Sequence, residues 1–244
     1  MPAGAPRAAG LWLKEEFMTY QFDFASVFAN WDRLLHGAWL TVQLSALSIV
    51  LGFVLGTLCA IACNNDNKLL KMLVKSYVEI IRNTPLLVQV FLVYFGLASI
   101  GVRLTAEVAA VIALVINVGA YTAEIMRAGI DSIHPGQIEA AECLGMSKLH
   151  VYWHVVLLPA VERVYPSLTS QFILLMLASS ITSQISAEEL TATANLVQSE
   201  TFRSFEVYVV IAVAYLGLSF LFRAAFWLVG QLAFIRRRKL GTSL

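Results

Sequence analysis

Five stretches of this chain run long and largely without charge, at about residues 36–63, 72–100, 104–126, 164–187 and 207–235, with short polar segments between them. A helix needs about 20 mostly apolar residues to cross a hydrocarbon layer, and a lone strand cannot satisfy its backbone there. The pattern therefore predicts five membrane-spanning helices and an all-α integral membrane fold. In the first stretch Gly52 and Gly56 stand four apart, the spacing that lets two helices approach closely. In the second, the charge-free part begins only after Arg82, and the fifth carries Arg223 inside it.

Composition agrees with that placement. The chain is 59% hydrophobic and only 14% charged, against about 45–50% and about 25% for soluble domains, and its mean hydropathy is +0.74. A formal net charge of +1 leaves no basic face of the kind nucleic-acid binders carry. The three cysteines, Cys59, Cys63 and Cys143, read as small buried hydrophobes rather than as a disulfide framework or metal cluster.

The placement of Lys and Arg sets an orientation. With the amino terminus outside, the inner flanks receive Lys68, Lys71, Lys75, Arg82, Arg127, Lys148, Arg163 and the run Arg236-Arg237-Arg238-Lys239, whereas the outer side receives only Arg7, Lys14, Arg33, Arg103 and Arg203. Cytoplasmic loops are the enriched side, so the amino terminus is predicted outside and the carboxyl terminus inside. Residues 1–35 then form an outer amino-terminal segment, 36–235 a membrane domain with an inner loop at about 128–163, and 236–244 a basic tail. Lys14, Glu15 and Glu16 interrupt any signal-peptide core, and Met18 is a candidate start. From residue 20 to 32, Phe22, Phe24, Phe28 and Trp31 alternate with polar residues, as suits a segment in the membrane interface.

The inner loop is the most distinctive segment. His134-Pro135-Gly136 breaks the third helix's continuation, and residues 137–149 read as a short helix bent at Gly145. On this helix, which opens at Gln137, Glu139 and Glu142 can meet basic or amide groups of a partner, while Ala140 and Ala141 expose backbone and permit close packing. Leu158-Pro159 follows downstream. The segment is shaped as a knob for a cleft.

Glu139-Ala140-Ala141, Gly145 and Leu158-Pro159 together resemble the docking loop of permease subunits of bacterial ATP-driven (ABC) importers. Three further strings narrow the resemblance to the permeases for polar amino acids: Arg82-Asn83-Thr84-Pro85-Leu86-Leu87-Val88-Gln89, the run from Ala120-Tyr121-Thr122-Ala123-Glu124 to Ile130, and Phe202-Arg203-Ser204-Phe205-Glu206. The resemblance implies the type I importer permease fold in the bacterial inner membrane, with five helices per subunit. It also implies a second permease subunit, identical or homologous, around one pathway, ABC ATPase subunits docked on the loop, and a periplasmic amino-acid-binding protein. The substrate class it implies is a polar amino acid such as glutamate, aspartate or a relative; it implies no cofactor. One string departs from the pattern: Leu177-Ala178-Ser179-Ser180-Ile181 stands where relatives commonly carry Lys-Asp-Thr-Ser-Leu.

Within the membrane, Pro85 removes a helix hydrogen bond, so Asn83 and Thr84 beside it are candidates to line a cavity. Asn117 faces either the pathway or an interhelical hydrogen bond, and Ser179, Ser180, Thr182, Ser183 and Gln184 form a polar patch that a zwitterion could follow. Glu79 and Arg82, three apart, are expected to neutralise each other, and Glu124 and Arg127 to orient the loop. His150 and His154 lack a third ligand in register for a metal. No phosphate-cradling Gly-Lys-Ser/Thr loop exists, so nucleotide energy has to arrive through a partner. An embedded serine hydrolase using residues 179–186 lacks a Gly-x-Ser-x-Gly elbow and a nearby histidine, and a passive channel lacks rings of charge.

Overall fold

The computed structural model describes residues 20–64 and 67–234. The candidate start at Met18, Arg7, Lys14 and the basic run from Arg236 to Lys239 lie outside the described residues. The helices are α1 (Ala25–Phe28), α2 (Trp31–Cys63), α3 (Lys68–Arg82), α4 (Leu86–Ser99), α5 (Ala106–Asp131), α6 (Pro135–Cys143), α7 (Lys148–Ile185), α8 (Leu190–Thr201) and α9 (Ser204–Ala233). Several starts are fixed by side-chain caps that satisfy orphan N–H groups. Asn67 accepts from the Leu69 and Leu70 amides at 3.0 and 3.3 Å, and Glu189 from Ala192 at 2.9 Å.

The bundle is organised around α5. In its most apolar 18-residue window 56% of residues are buried, against 33% for α2 and 22% for α9, so α5 is the central post and the others wrap it. Its partner α2 comes so close because of glycine. A Cβ on Gly52 would sit 2.1 Å from Val118 Cγ1, and one on Gly56 2.6 Å from the Gly119 carbonyl. Without an apolar driving force between helices in lipid, close van der Waals contact of this kind supplies the adhesion. On the other flank, Leu114, Val118 and Met126 share a core cluster with Leu168, Leu175 and Met176 of α7.

Four long apolar helices and one broken pair stand where five spans were expected. The second span is not a kinked helix: α3 and α4 diverge by 110° across the break at Asn83–Pro85. Pro85 holds φ at −63° and ψ at 138°, which starts a new helix in a new direction rather than continuing the old one. The fourth span begins earlier than expected, at Lys148, so Leu158 and Pro159 lie inside a helix and not in a connector. Proline at 159 denies the ordinary bond to the carbonyl four residues back, and the chain meets this with a π turn over Val151–Leu157. The same helix ends in a 3₁₀ turn, Ser179–Ile185. Helix α8 is absent from the expected spans because it has only 12 residues, with Thr and Asn among them. It packs on α2 where a Cβ at Gly37 would meet Thr193 Oγ1 at 2.6 Å. The aromatic segment from residue 20 runs through α1 into the first residue of α2, with Phe22, Phe28 and Trp31 exposed.

Candidate functional site

The loop between α5 and α7 is a rigid corner. His134 caps α6, its Nδ1 accepting from the Gly136 amide at 3.1 Å, with Pro135 preset for the first helical turn. At the far end the Gly145 amide donates to the Glu142 carbonyl at 2.9 Å and the Met146 amide to the Ala141 carbonyl at 3.2 Å. That pair is a Schellman closure, and it requires the left-handed backbone that Gly145 supplies at φ +75°. Glu139, Ala140 and Glu142 are exposed, as is Gln137, and Gly136 is half-buried. Ala141 departs from the expectation of an open backbone: it is 5% exposed and seats the helix, while Leu144 projects at 82% exposure.

Both ends of this corner are tied to the bundle. Arg163 donates to the Ser132 carbonyl at 2.5 Å and to its hydroxyl at 2.8 Å. Three residues earlier in each chain segment, α5 and α7 touch through Gly129, where a Cβ would lie 3.1 Å from the Ala160 carbonyl and 2.8 Å from Val164 Cγ1. Leu158 is exposed and Pro159 half-buried on the α7 side. His150 and His154 stack with ring centroids 5.4 Å apart.

At the helix break, Asn83, Thr84 and Pro85 are exposed. Thr84 Oγ1 donates to the Ile80 carbonyl at 2.9 Å and Asn83 Nδ2 to the Glu79 carbonyl at 2.8 Å, so each side chain satisfies a carbonyl of the turn it ends. The residue that organises the break is Gln89, to which sequence reasoning assigns no role. Its Nε2 reaches the carbonyls of Ile81 at 2.8 Å and Thr84 at 3.1 Å, while its Oε1 accepts from Asn117 at 2.9 Å. Asn117 thus makes the interhelical bond that is one of its two expectations. A polar residue two turns past Arg82 in an otherwise apolar run was the available signal for Gln89.

Between the end of α2, α3 and the α6-proximal half of α5 lies a cavity of about 650 Å³, lined among others by Lys71, Lys75, Glu79, Arg82, Glu124 and Arg127. Arg82 does not pair with Glu79 as expected; its Nη1 is 3.9 Å from Glu124 and its guanidinium lies 5.5 Å from the Tyr121 ring centroid. The bend at the break brings the end of α3 to α5, where Glu124 is the carboxylate within reach. Arg127 bonds Glu124 at 2.5 Å and Asp131 at 2.8 Å, forming a chain of charge along α5 toward the loop.

The polar patch at the end of α7 has two faces, because a 3₁₀ turn eclipses residues three apart. Ser179 and Thr182 are buried, Ser180 and Ser183 half-buried, and Gln184 exposed. Each hydroxyl of Ser179, Ser180, Thr182 and Ser183 donates to the carbonyl three residues back at 2.7 or 2.8 Å, so these oxygens are left as acceptors. Beyond them stands Glu189, fully buried and unanticipated. Its Oε2 accepts from Tyr215 at 2.7 Å, its Oε1 from the Ala192 amide at 2.9 Å, and burial pushes its carboxyl above the usual range despite those bonds.

Comparison with known proteins assigns this architecture. A family model described as "Binding-protein-dependent transport system inner membrane component" matches residues 24–232. The chain belongs to that family. It is therefore a multi-pass inner-membrane permease component, and its relatives include named amino acid transporters. It is 38% identical over 193 residues to the probable glutamine ABC transporter permease protein GlnM of Bacillus subtilis (strain 168), covering 79% of this chain and 89% of that one. To the octopine transport system permease protein OccM of Rhizobium radiobacter it is 34% identical over 226 residues, 89% of this chain and 92% of that one. A solved amino acid ABC transporter with histidines superposes at a TM-score of 0.79 with 37% identity, covering 87% of this permease and 99% of that chain. The MetNI methionine transporter in an inward-facing form shares the fold at a TM-score of 0.70 and 20% identity, over 84% and 98% of the two chains.

Proposed function

We propose that this permease carries glutamine or a closely related polar amino acid inward, driven by ABC ATPase subunits that dock on α6. The observation that carries the reading is the α6 corner: a short helix with an exposed Glu139, Glu142 and Leu144, closed by Gly145 and bolted at Arg163–Ser132 to the core helices α5 and α7. A partner that grips α6 grips α5 and α7 with it. On this reading the amino terminus is periplasmic and the carboxyl terminus cytoplasmic, the orientation that puts α6 where ATP is.

Glutamine is preferred to glutamate or aspartate on two grounds. Relatives at 34% and 38% identity carry glutamine permease names, and the pathway candidates Asn83, Thr84, Pro85, Asn117, Ser179, Ser180, Ser183 and Gln184 are all uncharged. A periplasmic binding protein delivers the substrate to the outer mouth, and a second permease subunit, identical or homologous, completes the pathway. ATP-driven closure of the ATPases moves the α6 helices and turns the pathway outward; hydrolysis lets it reopen inward.

The test is ATP-driven uptake of labelled glutamine by the complex reconstituted with its ATPase and binding protein. Gly145→Asp abolishes uptake while the subunit still inserts. Normal uptake by that variant overturns the docking role of α6, and uptake confined to glutamate overturns the substrate.

A further inference from the structure

A groove between α7 and α9, about 280 Å³ and lined by Tyr165, Pro166, Thr169, Ser170, Arg223 and Trp227, plays no part in the function above. Its charge sits at a definite depth. Tyr165, whose hydroxyl bonds the Phe226 carbonyl one turn from Arg223, stands two residues past Arg163, the last charge before the apolar part of α7. Arg223 therefore stands at the boundary of the layer and not at its middle, on the side where Arg163 of α7 holds the end of α5.

The groove is chemically lopsided. Among the described residues no carboxylate forms an ion pair with Arg223, which is exposed. Thr169 Oγ1 and Ser170 Oγ already donate to the Pro166 carbonyl at 2.9 and 3.0 Å, and the Tyr165 hydroxyl to the Phe226 carbonyl at 2.5 Å. The groove thus offers one unpaired guanidinium for an anion and two hydroxyl oxygens for a group that donates. Trp227 is exposed beside them, as aromatic residues at the headgroup level are. Toward the membrane middle, the exposed Leu174, Leu216 and Phe220 give an apolar track for an acyl chain.

We propose that this groove binds an anionic phospholipid of the phosphatidylglycerol type, in the leaflet on the α6 side. The phosphodiester lies on the Arg223 guanidinium, a planar fork that suits phosphate oxygens. The glycerol hydroxyls of the headgroup donate to Thr169 and Ser170, and the acyl chain follows α9. Naming that leaflet cytoplasmic rests on the proposed orientation; the binding itself rests only on the chain's place in the membrane.

The full chain, purified in mild detergent, is titrated with phosphatidylglycerol, phosphatidylcholine, phosphatidylethanolamine or inorganic phosphate while thermal unfolding is followed. Retained lipid is identified by native mass spectrometry. Phosphatidylglycerol raises the melting temperature and the other three additions do not. Arg223→Gln raises the half-saturating concentration roughly fivefold, the fold-change of about 1 kcal/mol per cation near an anionic surface. Arg223→Lys retains most of the effect, and Lys148→Gln, remote from the groove, retains all of it. Unchanged melting of Arg223→Gln without lipid shows that it still folds; if its lipid-free melting drops, the lysine variant and the mass spectrum decide alone. An equal response to phosphatidylcholine, a response to free phosphate, or an unaltered titration in Arg223→Gln overturns the assignment. No transport is measured, so either reading can fail without the other.

Discussion

Asn117 Nδ2 donates to Gln89 Oε1 at 2.9 Å, joining the central helix α5 to the first turn of α4 directly beyond the helix break. Gln89 in turn holds the loose carbonyls of Ile81 and Thr84, so one amide side chain keeps both halves of a broken span in register with the core. Gln89→Leu leaves the buried Asn117 amide without its partner, at a cost of about 1–3 kcal/mol for a buried polar group so orphaned, while the Ile81 carbonyl keeps Thr84 Oγ1 at 3.3 Å. The expected outcome is a melting temperature several degrees lower in detergent. A double-mutant cycle with Asn117→Leu should be non-additive, and simple additivity would show that the two amides act independently.

At Gly145 a Cβ would meet nothing within 4 Å, so the demand on this residue is conformational. A non-glycine residue at φ +75° costs about 1–2 kcal/mol, and Asn tolerates that region better than Ala. Uptake is therefore expected to fall in the order glycine, asparagine, alanine, with insertion into the membrane unchanged. Equal uptake by all three would refute the Schellman closure as a functional requirement.

The opposite logic governs Gly56. Its backbone is helical, but a Cβ there meets Thr122 Cβ at 2.5 Å and the Gly119 carbonyl at 2.6 Å. Backbone cannot swing aside, so Gly56→Ala should destabilise by about 1–3 kcal/mol. Gly217→Ala is the matched control, since nothing lies within 4 Å of its Cβ. That variant should be neutral or slightly stabilised through the better helix propensity of alanine. Unfolding followed by circular dichroism distinguishes the two.

These three sites differ in how far the sequence alone reveals them. Gly52, Gly56, the five apolar stretches and the Gly145 turn are legible because each is a local pattern. Arg82's partner, the seat under Ala141 and the role of Gln89 are not, because each depends on the 110° turn at the break or on which face of α6 meets the core. Helix α8 is hidden by its length: 12 residues cannot span, and a hydropathy scan passes over a short helix that packs on glycine. Glu189 is hidden for a related reason, since a carboxylate following a serine-rich turn reads as a polar loop.

Glu189 gives a pH dependence with a fixed sign. Burial raises its folded-state value above the unfolded one, so the folded protein holds the proton more tightly. The resulting stability is fully present below the ordinary carboxylate range and is lost as pH rises through the raised folded value. Glu189→Gln should flatten the fall in melting temperature across that window and match the wild type best at its acid end. A wild-type melting temperature that rises with pH over the same window would contradict the assignment.

The seam where Gly129 lies under Ala160 and Arg163 clasps Ser132 fastens the corner to the post. On the proposed docking role, a force applied to α6 passes through that seam into α5. It must travel up α5, and at Asn117, about three turns short of that helix's far end, it arrives at the amide pair that splices the broken span. On that role, whatever moves α6 also moves the splice of the broken span.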